Sequence, residues 1–89
     1  MTLKALTSAQ IRAARALIRW SAEDLARKSA VSVTTIRRAE LTVSETSMTV
    51  ANDLAVRRAL EAAGVEFIGE NGGGAGVRLR KPDRPARSK

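Results

Sequence analysis

Three stretches in the first half of the sequence carry the pattern that begins an α-helix, and they follow one another closely. Each has a hydroxyl residue suited to cap a helix, with apolar residues before and after it; the caps are Thr7, Ser21 and Ser32. Gln10 and Asp24 stand three residues after the first two caps, which predicts reciprocal capping boxes, while Thr35 follows the third cap. One such start is a weak signal, but three in series predict a run of short helices.

The spacing of apolar residues sets the lengths of these helices and indicates a fourth. Residues such as Ile11 and Ile36 are expected to face a core, whereas the arginines of the first helix, Arg15 among them, are expected to face water. Ser47 is the expected cap of the fourth helix and Gly64 its expected end. The predicted helices run from about Ser8 to Ile18, Ala22 to Ser29, Val33 to Leu41 and Met48 to Ala63.

After Gly64 the hydrophobic period changes from helical to alternating, which is the pattern of β-strands. Val65–Ile68 and Val77–Arg80 flank a glycine-rich segment, so the sequence predicts a β-hairpin with a flexible turn. Alternation places its apolar residues on one face; they are Val65, Phe67, Val77 and Leu79. The polar, proline-broken residues 81–89 are expected to form a disordered basic tail.

These elements together predict an all-α fold: a compact four- to five-helix bundle with a short C-terminal β-hairpin. Residues 1–64 would form the helical domain, residues 65–80 the hairpin and residues 81–89 the tail. An isolated hairpin is only marginally stable, so we expect it to make a homodimer by adding strands across a two-fold axis. The alternative is a monomer whose hairpin caps its own bundle.

The residue types that are missing exclude several classes of function. The chain has no cysteine, histidine or tyrosine, which removes disulfides, the commonest zinc ligands and the most frequent general base. Its serines have no base to activate them, so we expect no enzymatic activity, and neither a metal, a cofactor nor a small-molecule ligand. No apolar run approaches the ~20 residues that a membrane span needs, and the expected location is the cytoplasm.

The formal net charge of +7 favours a nucleic-acid partner, but its distribution is uneven. Residues 78–89 contain six basic side chains and one acidic side chain, a net charge of +5, which leaves +2 for the rest of the chain. The charge alone therefore does not locate a DNA-binding face. That argument must come from the helices.

The most informative stretch of the sequence is 21–40, where two short helices are separated only by Ala30 to Ser32. A connection this short forces a sharp turn. Ala26 is a small residue where the two helices would cross, and Val31 and Ile36 supply the apolar contacts that fix the crossing angle. This is the pattern of a helix-turn-helix, which holds its second helix clear of the body so that its first residues can enter a major groove.

The same stretch carries a family resemblance. Its residues are Trp20-Ser21-Ala22-Glu23-Asp24-Leu25-Ala26, Val31-Ser32 and Thr35-Ile36-Arg37-Arg38-Ala39-Glu40. They resemble the Xre-like, Cro/CI-type helix-turn-helix family, the lambda-repressor-like DNA-binding domain, over roughly residues 8–64. Residues 59–68 and the glycine loop are similar to a short bacterial branch of it. The resemblance implies a transcriptional regulator, usually a repressor, that binds a palindromic operator in double-stranded DNA as a homodimer.

The family also implies which residues meet DNA. Val33 and Thr34 match the positions that contact base edges, and Arg37 and Arg38 match the next exposed turn, where arginine can bind guanine. Thr35 and the amides at the starts of the second and third helices match phosphate contacts. The expected DNA-binding residues are Ser32, Val33, Thr34, Thr35, Arg37 and Arg38.

The sequence departs from the family at several points. Ala22 replaces a glutamine that contacts the DNA backbone, and Ala30 replaces a turn glycine, at a cost of about 1 kcal/mol if the left-handed conformation is kept. Residues 41–46 lack the usual glycine and basic side chains. We therefore expect a weakened hold on phosphate, so that affinity rests on dimerisation or on the basic tail.

Other interpretations stay open. The same fold can serve as a protein-binding adaptor, such as an antitoxin or an anti-activator, and the near-neutral helical body favours this alternative. Arg37 and Arg38 would then be an ordinary solvated face, paired with Glu40 or Glu45. The basic tail either adds non-specific attraction to DNA or is only solubilising charge.

Overall fold

The computed structural model describes residues 5–43, 46, 48–69 and 72–80, and within them the chain forms four helices followed by an antiparallel hairpin. The helices are α1 (Ser8–Ile18), α2 (Ala22–Ser29), α3 (Val33–Glu40) and α4 (Val50–Ala62), and the strands are β1 (Val65–Ile68) and β2 (Gly76–Leu79). The predicted helical bundle with a C-terminal hairpin is confirmed. Glu45 and the basic tail, 81–89, lie outside the described residues, and so do the predictions made for them.

The first two capping boxes form as the sequence predicts. The Gln10 amide donates to Thr7 Oγ1 at 3.1 Å, and the Thr7 amide donates to Gln10 Oε1 at 3.0 Å. Ser21 and Asp24 exchange the same two bonds at 3.0 and 2.9 Å. These reciprocal bonds satisfy amides that a helix start leaves without partners, and α1 and α2 have the predicted bounds.

β1 has its predicted bounds, whereas α3, α4 and β2 differ from theirs by one or two residues. The predicted start of α4 at Met48 behind a Ser47 cap is wrong, because Thr49 is the cap and accepts the Asn52 amide at 3.1 Å. Thr49 offers the same hydroxyl chemistry and has an extended backbone there. Gly64 follows α4 with a φ of +105°, as expected of a helix-ending glycine. The second strand lies one residue earlier than predicted.

The core lies where the helices and the hairpin meet. It contains Leu6, Ile11, Ala14, Ala22, Leu25, Val31, Ile36, Ala39, Val56, Leu60 and Val65. On α4, Val56 and Leu60 face the core, while Val50 is 86% exposed. No helix within the described ranges combines the length and the apolar character needed to cross a membrane.

The hairpin packs on its own helical bundle. Val65 is paired with Leu79 and Phe67 with Val77, so the four apolar residues share one face as predicted. Val65 is fully buried, while Leu79 remains 52% exposed. Gln10 of α1 donates from Nε2 to the carbonyl of Gly76 at 3.0 Å and to that of Ile68 at 3.4 Å. The first half of β1 therefore belongs to the core, and the second half of β2 is the more accessible part.

Candidate nucleic-acid interface

The turn between α2 and α3 depends on the backbone conformation of Ala30. Its φ of 63° and ψ of 23° are left-handed, as the sequence predicts, and its amide donates to the Ala26 carbonyl at 2.8 Å. The Val31 amide donates to Ser29 Oγ at 3.2 Å, and the Val31 side chain is buried in the core. The turn therefore fixes the start of α3 relative to α2, despite a residue that adopts this conformation less readily than glycine.

A pair of arginines from α1 fixes the other end of α3. Arg15 donates from Nε to Glu40 Oε2 at 2.7 Å and from Nη2 to Oε1 at 2.8 Å. Arg12 donates from Nη1 to the backbone carbonyl of Glu40 at 2.5 Å, where the negative end of the α3 dipole lies. The prediction that Arg15 faces water is wrong: the position four residues after Ile11 lies on the buried side of α1, and Glu40 supplies a charged partner there.

Between its two fixed ends, α3 exposes several of the residues that were predicted to contact DNA. Thr34, Arg37 and Arg38 are exposed, while Ile36 and Ala39 between them face the core. Residues one helical turn apart lie on the same side of a helix, so these three exposed side chains form one outer face. This face is the candidate surface for contact with base edges.

The remaining predicted contact residues lie at the start of α3 and are used within the fold. Ser32 is the N-cap; its Oγ accepts the Thr35 amide at 3.1 Å and lies 2.9 Å from Thr35 Oγ1. Val33 is half-buried and packs against the core. The hydroxyls of Ser32 and Thr35 thus already have hydrogen-bond partners inside the protein. Among the described residues, the side chain of Thr34 has no such partner and is exposed.

The two adjacent arginines of the outer face have different surroundings. Arg37 Nη2 donates to Glu23 Oε2 of α2, and both side chains remain more than half exposed. Arg38 makes no hydrogen bond or ion pair with any described residue. The alternative pairing with Glu40 is wrong, because the Glu40 carboxylate holds Arg15 with both oxygens.

Arg38 lines a cleft between α3 and the start of α4. The cleft has a volume of about 210 Å³ and is lined by Thr35, Arg38, Ala39, Met48, Thr49 and Asn52. Its polar rim from α4 was missed in the sequence. The spacing of Thr49 and Asn52, a cap and the residue three positions later, is the signal that could have placed them at a helix start. An incoming anionic backbone would find amide, hydroxyl and guanidinium groups here.

The starts of α2 and α3 differ in charge. The first turn of α2 carries Glu23 and Asp24, whereas the first turn of α3 has no acidic residue. Hydrogen bonds from the Ser21 backbone, and then from Arg27, lower the pKa of Asp24, so this carboxylate stays ionised at neutral pH. Because carboxylates repel phosphate, the start of α3 suits a phosphate contact and the start of α2 suits it poorly.

Exposed apolar side chains occur between the end of α3 and the start of α4. Leu41 is 83% exposed, and Val43 and Val50, the first residue of α4, are also almost fully exposed. Single exposed apolar residues are ordinary, but three within ten residues are less so.

The described residues contain no group of three or more acidic side chains placed to hold a metal ion. A comparison with models of known protein families finds no match, and no curated protein is significantly similar to the chain.

Proposed function

We propose that this protein binds double-stranded DNA in a sequence-specific manner and acts as a cytoplasmic transcriptional regulator, in the simplest case a repressor. The observation that carries the proposal is the outer face of α3, where Thr34, Arg37 and Arg38 are exposed side by side. The rest of the fold holds this helix at both ends, through the turn at Ala30 and through the bonds to Glu40.

The dimensions and chemistry of α3 fit a major groove. An α-helix with its side chains is about 10–12 Å in diameter, and the major groove is about 12 Å wide and admits a helix. A guanidinium can donate two bonds to guanine O6 and N7, and a threonine methyl can contact the methyl of thymine. The resemblance of residues 20–40 to the Xre-like family supports the same assignment of α3.

The net charge supports a polyanionic partner. The chain carries +7 overall, and neutralising phosphates releases the counterions that surround DNA. Contacts to phosphate carry no sequence information themselves, but they would position α3 in the groove. Such contacts would be made at the start of α3 and along the cleft that Asn52 lines.

The experiment that tests the proposal is a selection of bound sequences from a pool of random duplexes, followed by a salt titration of the selected duplex. We expect one enriched motif and an affinity that falls steeply with salt. The logarithm of the binding constant should fall linearly with the logarithm of the salt concentration, with a slope of about −0.9 for each phosphate contacted. A protein that enriches no motif, or whose binding does not depend on salt, is not a sequence-specific DNA reader.

We also propose that the protein binds its site as a homodimer through the hairpin. The support is the accessible second half of β2, where Leu79 is half exposed at the edge of a sheet that has only two strands. A second copy could extend this sheet across a two-fold axis. Two α3 helices would then enter successive major grooves about 34 Å apart and require a palindromic site.

A second candidate function, a protein-binding adaptor, is favoured by the exposed Leu41, Val43 and Val50. In that case an apolar surface of a partner protein would cover them. A variant that carries Val43→Ser and Val50→Ser separates the two functions. A DNA reader keeps its affinity for the selected duplex within about threefold, because neither residue lies on the outer face of α3, whereas an adaptor loses its partner.

A further inference from the structure

The two arginines on the outer face of α3 lean toward different neighbours. Successive residues of a helix point about 100° apart, so Arg37 reaches the start of α2 while Arg38 reaches the cleft beside α4. Arg37 is bonded to Glu23, with 58% and 57% of the two side chains exposed. Arg38 has no such partner in the described part of the chain. Within the described residues, one arginine is therefore engaged before any DNA arrives, and the other is not.

Glu23 is well placed to remain a charged partner. A hydrogen bond from its own backbone amide at the start of α2 lowers the pKa of its carboxyl, and the charge of Arg37 lowers it further. The carboxylate is thus ionised throughout the neutral range. It lies beside the face that would approach DNA, where it both holds Arg37 and repels phosphate.

We infer that Glu23 is a specificity-determining residue, which withholds Arg37 from DNA and leaves arginine recognition of bases to Arg38. The inference rests on the proposed function. A second free arginine on this face could bind whichever phosphate lies nearest on unrelated DNA, where no base contact fixes the register. On the preferred site Arg38 fixes the register, and with it the phosphates that Arg37 can reach. By keeping Arg37 engaged, Glu23 lowers binding to unrelated DNA more than binding to the preferred site.

The magnitudes fit this division. An exposed ion pair strengthens an equilibrium by at most about fivefold, which is comparable to one additional phosphate contact at moderate salt. A well-placed arginine on a guanine discriminates between bases by about 5- to 150-fold. The ion pair with Glu23 is therefore strong enough to compete with one phosphate contact by Arg37. It is too weak to supply the discrimination between bases that is expected of Arg38.

The test measures the affinity of the full chain for its selected duplex and for an unrelated duplex of equal length, over a range of salt. The variants are Glu23→Gln, Arg37→Ala, the double variant and Arg38→Ala. Glu61→Gln is the matched control, because it removes the same charge about 13 Å along α4 from Asn52. Thermal unfolding of each variant confirms that it is folded.

We expect Glu23→Gln to raise affinity for the unrelated duplex by up to about fivefold and to steepen its salt dependence by about one phosphate contact. Affinity for the selected duplex should rise less, so the ratio between the two duplexes falls. In the Arg37→Ala background, most of the effect of Glu23→Gln should be lost. Arg38→Ala should lower the preference for the selected duplex by about 5- to 150-fold, and Glu61→Gln should behave as the wild type.

Several results would overturn the inference. One is an effect of Glu23→Gln that is as large without Arg37 as with it, because the carboxylate would then act only by repelling phosphate. Another is a loss of preference in Arg37→Ala as large as that in Arg38→Ala. If the wild-type protein itself shows no preference, the proposed function fails and the inference falls with it. If the preference is present and Glu23→Gln has no effect, the inference alone is wrong.

Discussion

Arg15 of α1 and Glu40 at the end of α3 form a bidentate ion pair, with N–O distances of 2.7 and 2.8 Å. Only 23% of the Arg15 side chain and 9% of the Glu40 side chain are exposed. The bonds to Glu40 raise the pKa of the Arg15 guanidinium above its usual range, against the opposing effect of burial. The pair attaches the candidate recognition helix to α1, so the orientation of α3 depends on a contact outside the helix-turn-helix itself.

Replacing Glu40 by alanine should destabilise the domain strongly. Arg15 would keep its charge in a largely buried position without its carboxylate. Breaking a fully buried pair costs about 3–5 kcal/mol, and the partial exposure of Arg15 brings the expected loss to about 2–4 kcal/mol. Chemical unfolding monitored by circular dichroism measures it. Glu66→Ala is the control, because its pair with Arg78 is exposed and should contribute less than about 1 kcal/mol.

The double variant Arg15→Met with Glu40→Met separates pairing from packing. Two apolar side chains of similar size remove both charges together, so the double variant should be much closer to the wild type in stability than Glu40→Ala. A loss in Glu40→Ala no larger than the loss in Glu66→Ala would show that the pair does not anchor α3.

Ala30→Gly should stabilise the protein by up to about 1 kcal/mol, because Ala30 adopts a left-handed conformation that glycine adopts without strain. Its side chain is exposed, so little packing is lost. Arg19→Gly tests the same effect at a φ of 60° after α1. Ala16→Gly, inside α1, is the matched control and should lower the free energy of unfolding by about 0.5–1 kcal/mol. A loss of stability in Ala30→Gly would mean that the turn is not left-handed.

The elements that depend on contacts between neighbouring residues could be predicted from the sequence. Thr7 and Ser21 fix the starts of α1 and α2 through bonds made within three residues, and these bonds can be identified without a fold. The left-handed conformation of Ala30 was instead implied by the family resemblance, in which a glycine occupies this position of the turn. The hairpin was found because alternation in β1 and β2 is broken by the glycine segment between them.

The features that the sequence did not reveal depend on contacts between distant parts of the chain. Glu40 joins Arg15 across 25 residues, and Glu23 joins Arg37 across 14. Charged residues at such separations have many possible partners, and only the packing of α1, α2 and α3 selects among them. The start of α4 was misplaced for a local reason, since hydroxyl residues occur both at 47 and at 49 and either can cap a helix.

The pH dependence of stability should be confined to the acid range. Folding lowers the pKa of Asp24 and Glu66, through bonds from the Ser21 backbone and from Arg78 respectively. A group with a lowered pKa contributes stability above its unfolded value, and this contribution is lost as the pH falls through the folded value. Stability should therefore be level from about pH 8 to pH 5, where a chain without histidine titrates little, and should decline below about pH 4.

Asp24→Asn identifies part of that decline. Asparagine can still accept the Ser21 amide, so the cap is kept while the titrating charge is lost. Unfolding measured between pH 2 and pH 7 should give a shallower acid decline for this variant than for the wild type. A decline that is unchanged would remove the Asp24 carboxylate from the acid response.

Leu79→Glu should weaken the proposed dimer. The side chain is half exposed near the accessible end of β2, so a charge there should disfavour a second copy without opening the core. Removing the hairpin altogether is a poorer test, because Val65 is fully buried. Leu17→Glu on α1 is the control. Sedimentation at tens of micromolar should give a dimer for the wild type and Leu17→Glu and a monomer for Leu79→Glu; a monomeric wild type, both free and on DNA, contradicts the dimer.

The most direct test of α3 as the recognition helix is selection of bound sequences by the wild type, by Arg38→Ala and by Arg38→Lys. If Arg38 binds guanine with two bonds, alanine should cost about 1–3 kcal/mol on the preferred site and relax the preference at one position of each half-site. Lysine should restore affinity but not that preference, because it lacks the planar pair of donors. An equal loss on all sequences would assign Arg38 to a phosphate, and unchanged affinity and preference would contradict a role for α3 in reading DNA.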